Sequence, residues 1–280
     1  MNEAEIAANS TILRGVVGST VHGTNVEGTD DRDEMGVCIE PPEYVIGNRT
    51  FEQHIKRDRA EGVRSEPGDL DLTIYSLRKW VRLALKGNPS VLLLLYTPQL
   101  VVNTNLGQEL RDLAPEFASK RSADSFLGFI RQQKERLMGE RGQLRVNRPE
   151  LVERYGFDTK YAGHILRLAY QGVEYLSTGK ITLPMPGLQR QNVLDVRNGK
   201  WSLEKTLTKS GELIQEIEDL KETSPLPGQP NEIVIEKWMV GAYFRGWARL
   251  YIPWELPGQN YPRFYGVDWA KDVDYTTRTN

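Results

Sequence analysis

Apolar residues recur with two different periods along this chain, and the period changes near residue 103. In the first part, short apolar runs are bounded by turn residues, the pattern of strands. Ile12 to Val17, broken by Arg14 and Gly15, predicts a strand over 11–17 after a short leading helix over 3–9. Met35 to Ile39 predicts a second strand over 31–39, stopped by Pro41-Pro42. Alternation across 50–56 predicts a third, and Leu72-Thr73-Ile74-Tyr75 a fourth. Residues 57–70 are charged, carry Gly and Pro, and read as a loop. Ser76 is placed to cap a helix over 77–86, Gly87-Asn88-Pro89 to end it, and Ser90 to cap Val91 to Tyr96. Beyond residue 103 the period is helical, with amphipathic segments near 106–119, 122–142, 158–178, 202–222 and 231–251. Gly179 falls where the third of these should stop, and Pro225 to Pro230 reads as a rigid linker. The expected fold class is α+β: a small mixed-sheet domain over 1–103, then an all-helical domain over 104–280 with an aromatic-rich carboxyl-terminal tail.

The candidate chemistry sits at the joints of the first two strands. Strand one runs out into Val17-Gly18-Ser19, a turn that offers backbone N–H groups and a hydroxyl to phosphate. Strand two opens with Asp31-Arg32-Asp33, and residues two apart in a strand project to one face. Two hard carboxylates on one face suit Mg²⁺, which fills its octahedron with water and substrate phosphate. Asp69 and Asp71 both precede the fourth strand, and either can supply a third carboxylate; Asp71 directly abuts the strand and is preferred. Glu34 should point away from the pair by alternation. The bland alternative for Asp31-x-Asp33 is a solvated turn.

The combination of apolar strand, Gly-Ser, Asp-x-Asp, apolar strand and a later Asp-strand resembles the nucleotidyltransferases of the DNA polymerase beta superfamily. Longer matches carry a closer resemblance. They are Asp33-Glu34-Met35-Gly36-Val37, Asp71-x-x-x-Tyr75-Ser76-Leu77-Arg78-Lys79 and Leu85-Lys86-Gly87-Asn88-Pro89-Ser90-Val91. Further along come Tyr161 to Leu168, Thr178-Gly179-Lys180-Ile181 and Ser224-Pro225-Leu226-Pro227. Together they look like a family of predicted nucleotidyltransferases of bacteria and their phages, across about residues 12–240. The chain departs from that pattern at Glu34, where the family commonly has an aromatic. The resemblance implies a polymerase-beta-like fold and transfer of a nucleoside monophosphate from a nucleoside triphosphate to an acceptor hydroxyl, with release of pyrophosphate. It implies Asp31, Asp33 and Asp71 as catalytic, metal-holding residues, with Mg²⁺ or Mn²⁺ as the metal. Gly18 and Ser19 would grip the triphosphate.

The rest of the chain adds candidates around that centre. His22 follows the Gly-Ser turn, to contact phosphate or to bond its own loop. Lys160, His164, Arg167 and Gln171 recur at helical spacing and share one face; Lys160 and His164 are candidate nucleotide-binding residues, the alternative being a solvated stripe. Net charge is only −2, so any nucleic-acid contact must be local. Residues 131–148 carry a local excess of four positive charges. Within that run Arg131, Lys134, Arg141 and Arg145 are candidate contacts to RNA or tRNA, whose 3′ end is the favoured acceptor. A protein or small-molecule acceptor is the alternative, as is an antitoxin-like nucleotide-binding module with little catalysis. The carboxyl-terminal aromatics are expected to pack across the helical half. The single cysteine, Cys38, lies in an apolar strand and reads as a buried, inert thiol. The amino terminus has no apolar signal core, and the longest apolar run, Val91 to Tyr96, is too short to span a bilayer. A cytoplasmic location and no membrane partner are therefore expected.

Overall fold

A computed structural model describes residues 2–26, 32–58, 69–140 and 148–250, the last without the side chain of Leu250. The first part contains α1 (Glu3–Ser10), β1 (Thr11–Val16), α2 (Gly18–His22), β2 (Arg32–Cys38), α3 (Pro42–Val45), β3 (Gln53–Arg57), β4 (Leu70–Ser76), α4 (Leu77–Leu85), α5 (Pro89–Tyr96) and β5 (Leu100–Asn103). Helices follow: α6 (Asn105–Asp112), α7 (Ala114–Phe117), α8 (Ser122–Leu137), α9 (Pro149–Tyr155), α10 (Thr159–Thr178), α11 (Gly187–Arg197), α12 (Leu203–Thr223) and α13 (Glu232–Leu250). The architecture is thus a small mixed sheet followed by an all-helical region, as the two periods predict.

The five strands lie in the order β3-β4-β2-β1-β5. Strand β2 pairs antiparallel with β1 and parallel with β4, which makes the sheet mixed. Alternation gives the sheet two apolar faces. Leu13, Met35 and Val37 face α4, α5 and the long helices, in one core that reaches Phe126, Leu166 and Tyr175. Cys38, Leu72 and Ile74 face the other way and are covered by Ile6 and Ala7 of α1 and by Phe51. Cys38 is fully buried there, and burial pushes its thiol up, with Glu40 adding to the effect.

Local chemistry sets the element ends. Ser76 caps α4 by accepting from Lys79 N–H at 3.1 Å. Helix α5 differs from expectation: it begins at Pro89, and its cap is Asn88, which accepts from Ser90 and Val91 N–H. Proline at the first helical position lacks the N–H that would otherwise be orphaned there, so it extends the helix by two residues ahead of Val91. The expected 106–119 helix is two helices, broken where Pro115 removes an N–H. Helix α10 starts on Asp158, which accepts from Lys160 and Tyr161 N–H, and stops on Gly179 at φ 72°. Its Gly172 lets Ile217 of α12 approach closely.

The aromatic end of the chain meets its expectation only in part. Of the described aromatics of α13, Tyr243 and Trp247 pack on the sheet-bearing part, while Trp238 packs on the helical half as expected. Tyr243 O–H donates to Glu40 Oε1 at 2.7 Å, and Trp247 Nε1–H to the Glu40 carbonyl at 2.8 Å. Trp238 Nε1–H donates to Glu109 of α6 at 2.8 Å. The predicted tail residues from Tyr251 onward lie outside the described residues. Among the described residues no helix is long and apolar enough to cross a membrane.

Candidate active site

Strand β1 ends at Val16, and Val17 N–H then donates to the carbonyl of Asp33 at 2.9 Å, stitching the turn to β2. Gly18 follows at φ 71°, a conformation costly for any residue with a Cβ. A Cβ on Gly18 would overlap Oδ2 of Asp33. The glycine thus does two things, reversing the chain and letting the Asp33 carboxylate lie directly against the turn. Ser19 stands in the first turn of α2, whose N–H groups have no intrahelical partners.

Asp33 and Asp71 are Cα partners on the adjacent parallel strands β2 and β4, so their side chains share one sheet face. Asp71 also accepts from Arg57 Nε at 3.2 Å. Asp69 precedes β4, holds Arg32 N–H through its carbonyl, and does not line the cavity described below. Asp31 lies outside the described residues. Glu34, next along β2, is occupied by Arg14 Nε at 2.5 Å and Arg32 Nε at 2.6 Å. Among the described residues no group of three or more His, Cys, Asp or Glu side chains gathers as a metal cage.

Over this face lies a cavity of about 390 Å³ between sheet and helices. Gly18, Ser19, Asp33 and Asp71 line it from one side, and Lys160, His164 and Arg167 of α10 from the other. The polar stripe read on α10 therefore faces the carboxylates across one space. His22 lines the cavity too and is almost fully buried; its Nδ1 lies 3.2 Å from Gln171 Nε2, and Gln171 Oε1 accepts from Arg167 Nη1 at 2.8 Å. This chain of bonds joins α2 to α10.

Electrostatics divide the cavity into an anionic floor and a cationic wall. Burial, then Arg167 and His164, hold His22 well below the usual histidine value. His164 is held down in the same way by burial and by Arg167, Lys160, Arg197 and Arg148. Burial and Arg197 lower Arg167 to about 10, which leaves it charged at neutral pH. Three cations, Lys160, Arg167 and Arg197, thus line the cavity where only the first two belong to the stripe.

Arg197 is the residue that sequence reasoning missed. It ends α11, crosses α10 at Gly163, where a Cβ would crowd its Cγ at 2.9 Å, and donates to the carbonyl of Thr24. The signal that could have found its helix is slight: Val193 and Val196 are its buried residues beside Arg197, at a spacing of three. Arg131 and Lys134 stand exposed on α8 and do not line the cavity, while Arg141 and Arg145 lie outside the described residues.

A mixed sheet that sets a Gly-Ser turn against aligned carboxylates, followed by helices, is of the DNA polymerase beta-like nucleotidyltransferase type. Residues 2–233 match the family RlaP, described as the RNA repair pathway DNA polymerase beta family, and the chain belongs to that family. The chain is also similar to an uncharacterised 38.9 kDa protein of Enterobacteria phage T4, at 26% identity over 127 residues. That stretch is 44% of this chain and spans 37% of the phage protein's length. A solved nucleotidyltransferase-like protein from Exiguobacterium sibiricum aligns at 14% identity with a TM-score of 0.30, over 90% of this chain and 79% of that one.

Proposed function

We propose that the protein is a nucleotidyltransferase that moves a nucleoside monophosphate from a nucleoside triphosphate to the 3′ hydroxyl of an RNA, releasing pyrophosphate. The observation that carries this reading is the single cavity in which Gly18, Ser19, Asp33 and Asp71 face Lys160 and Arg167. In this reading residues 1–103 form the catalytic domain and 104–280 the helical domain that closes over the nucleotide.

The donor set fits a divalent metal. Asp33 and Asp71 offer hard oxygens at aligned positions, Gly18 leaves room beside Asp33, and Mg²⁺ or Mn²⁺ accepts few protein ligands. Asp33 and Asp71 would hold it, with Asp31 joining them on the strength of the family pattern. The metal, when bound, supplies charge stabilisation for the entering and leaving oxygens of an in-line displacement at phosphorus. The protein's own groups do the rest. The Gly18-Ser19 turn orients the triphosphate through backbone N–H groups and the Ser19 hydroxyl. Lys160 and Arg167 neutralise the charge that gathers on the departing pyrophosphate. Asp71 would accept the acceptor's proton, oriented by its 3.2 Å pair with Arg57. His22 holds α2 to α10 through Gln171 and keeps the two walls in register.

The RNA acceptor draws support from the family's description and from Arg131 and Lys134, exposed on α8 within the basic run. The test is incubation of the purified protein with each α-labelled nucleoside triphosphate, Mg²⁺ and total RNA, beside Asp33→Ala. Label is expected on RNA 3′ ends with the parent and not with the variant. Label on protein, or pyrophosphate release that does not depend on RNA, would overturn the RNA acceptor. No transfer to any acceptor would overturn the enzymatic reading.

A further inference from the structure

The cationic wall contains a titratable group for which the transfer reaction has no use. His164 sits one turn after Lys160 and just under one turn before Arg167 on α10, and it lines the cavity with both. Charged or titratable groups face it from each neighbouring element. They are Lys160 and Arg167 from its own helix, Arg197 from α11, Arg148 ahead of α9, and His22 from α2. Arg148 is itself ion-paired to buried Asp158 at 3.0 Å, and Asp33, Glu34 and Asp71 line the cavity from the sheet. In the free protein the imidazole is neutral, because burial and four nearby cations all oppose a further positive charge.

A triphosphate entering this space reverses that balance. It brings several negative charges to the same wall, offsets the repulsion from the lysine and arginines, and supplies acceptors for an imidazolium, which donates from both nitrogens. We propose that His164 takes up one proton from solvent when the triphosphate of a nucleotide enters the cavity, becoming a cationic phosphate ligand only in the bound state. The inference rests on the nucleotide reading above and deepens it. The only bond formed is N–H on the ring, and the proton's source is the buffer. Affinity is therefore coupled to pH. Where His164 is neutral when free and protonated when bound, nucleotide affinity rises about tenfold for each unit of falling pH. Arg167, lowered only to about 10, stays charged between pH 6 and 8 and contributes nothing to that slope.

The experiment is calorimetric titration of the full chain at pH 7.5 with the Mg²⁺ complex of a non-hydrolysable triphosphate, in buffers of different ionisation enthalpy. The dependence of observed heat on buffer gives the protons taken up per nucleotide bound. The parent is expected to take up close to one, and His164→Gln to bind several-fold more weakly and take up none. His54→Gln, on β3 outside the cavity, should retain the parent's uptake. Binding by the parent without proton uptake, or undiminished uptake in His164→Gln, overturns the inference and leaves the nucleotide reading standing. Absence of binding by the parent overturns both. A polar substitution on a packed helix risks misfolding, so the parent supplies a second readout. The chain has three histidines, and the His164 ring-proton resonance should move to the imidazolium position on nucleotide addition at pH 7.5; a resonance that stays at the neutral position contradicts the proposal.

Discussion

At Gly18 a missing methyl group decides whether the Asp33 carboxylate can lie against the Gly18-Ser19 turn. The residue holds φ at 71°, and Oδ2 of Asp33 occupies the space a Cβ would need. Gly18→Ala should cost about 1–2 kcal/mol of stability from the left-handed backbone alone. It should also reduce transfer by about 100-fold, because the carboxylate must move by a distance that matters to in-line geometry. Urea unfolding beside a transfer assay separates the two; an alanine variant with the parent's rate would show that Asp33 does not act from this position. The sequence signalled Gly18, Ser19 and Asp33 through their spacing. It could not signal the alignment of Asp33 with Asp71, because strand register is a property of pairing and not of either segment alone. Asp71 was readable over Asp69 only through its closeness to the apolar run, and the pairing with Asp33 is the physical reason that closeness counts.

Helix ends that carry a clear chemical signature were legible. Ser76 before α4 and Gly179 after α10 are such signatures. Strand β5 has only four residues and a single neighbour, β1, so its apolar alternation is too short to register. Helix α11 follows Pro184 and Pro186 and has no side-chain cap, which hid Arg197 with it. Helix α13 was read correctly as a helix and its docking only in part, because an aromatic stripe says how much surface is buried and not against what. Part of its docking runs through Glu40, which is buried and raised from the usual carboxylate value chiefly by desolvation. Leu77 N–H donates to one oxygen at 3.0 Å and Tyr243 O–H to the other at 2.7 Å. Tyr243→Phe strips one oxygen of its donor and should destabilise the protein by about 1–3 kcal/mol. The shift of the urea midpoint measures this, and a change below about 0.5 kcal/mol would show that α13 is not latched through Glu40.

At the scale of the whole molecule, the site exists only because two differently built parts meet. The sheet brings carboxylates and a Gly-Ser turn; the helices bring Lys160, Arg167 and Arg197. In the proposed reading neither set would make a nucleotide site alone, since the carboxylates would repel a triphosphate and the cations would hold no metal. The bonds between His22 and Gln171, and between Arg197 and the Thr24 carbonyl, fix one set against the other. The sequence displayed both sets separately, as an acidic strand motif and a basic helix stripe; their meeting is a tertiary fact, carried by residues more than a hundred positions apart. The central claim is that one nucleotide touches both walls. It is tested most directly by titrating the protein with a fluorescent non-hydrolysable nucleoside triphosphate, with and without Mg²⁺, in the parent, Asp33→Asn, Asp71→Asn, Lys160→Ala and Arg167→Ala. The account predicts that Lys160→Ala and Arg167→Ala each weaken binding about tenfold or more with or without metal. It predicts that the two Asn variants lose the enhancement that Mg²⁺ gives the parent. Nucleotide affinity unchanged by substitution on either wall would contradict it.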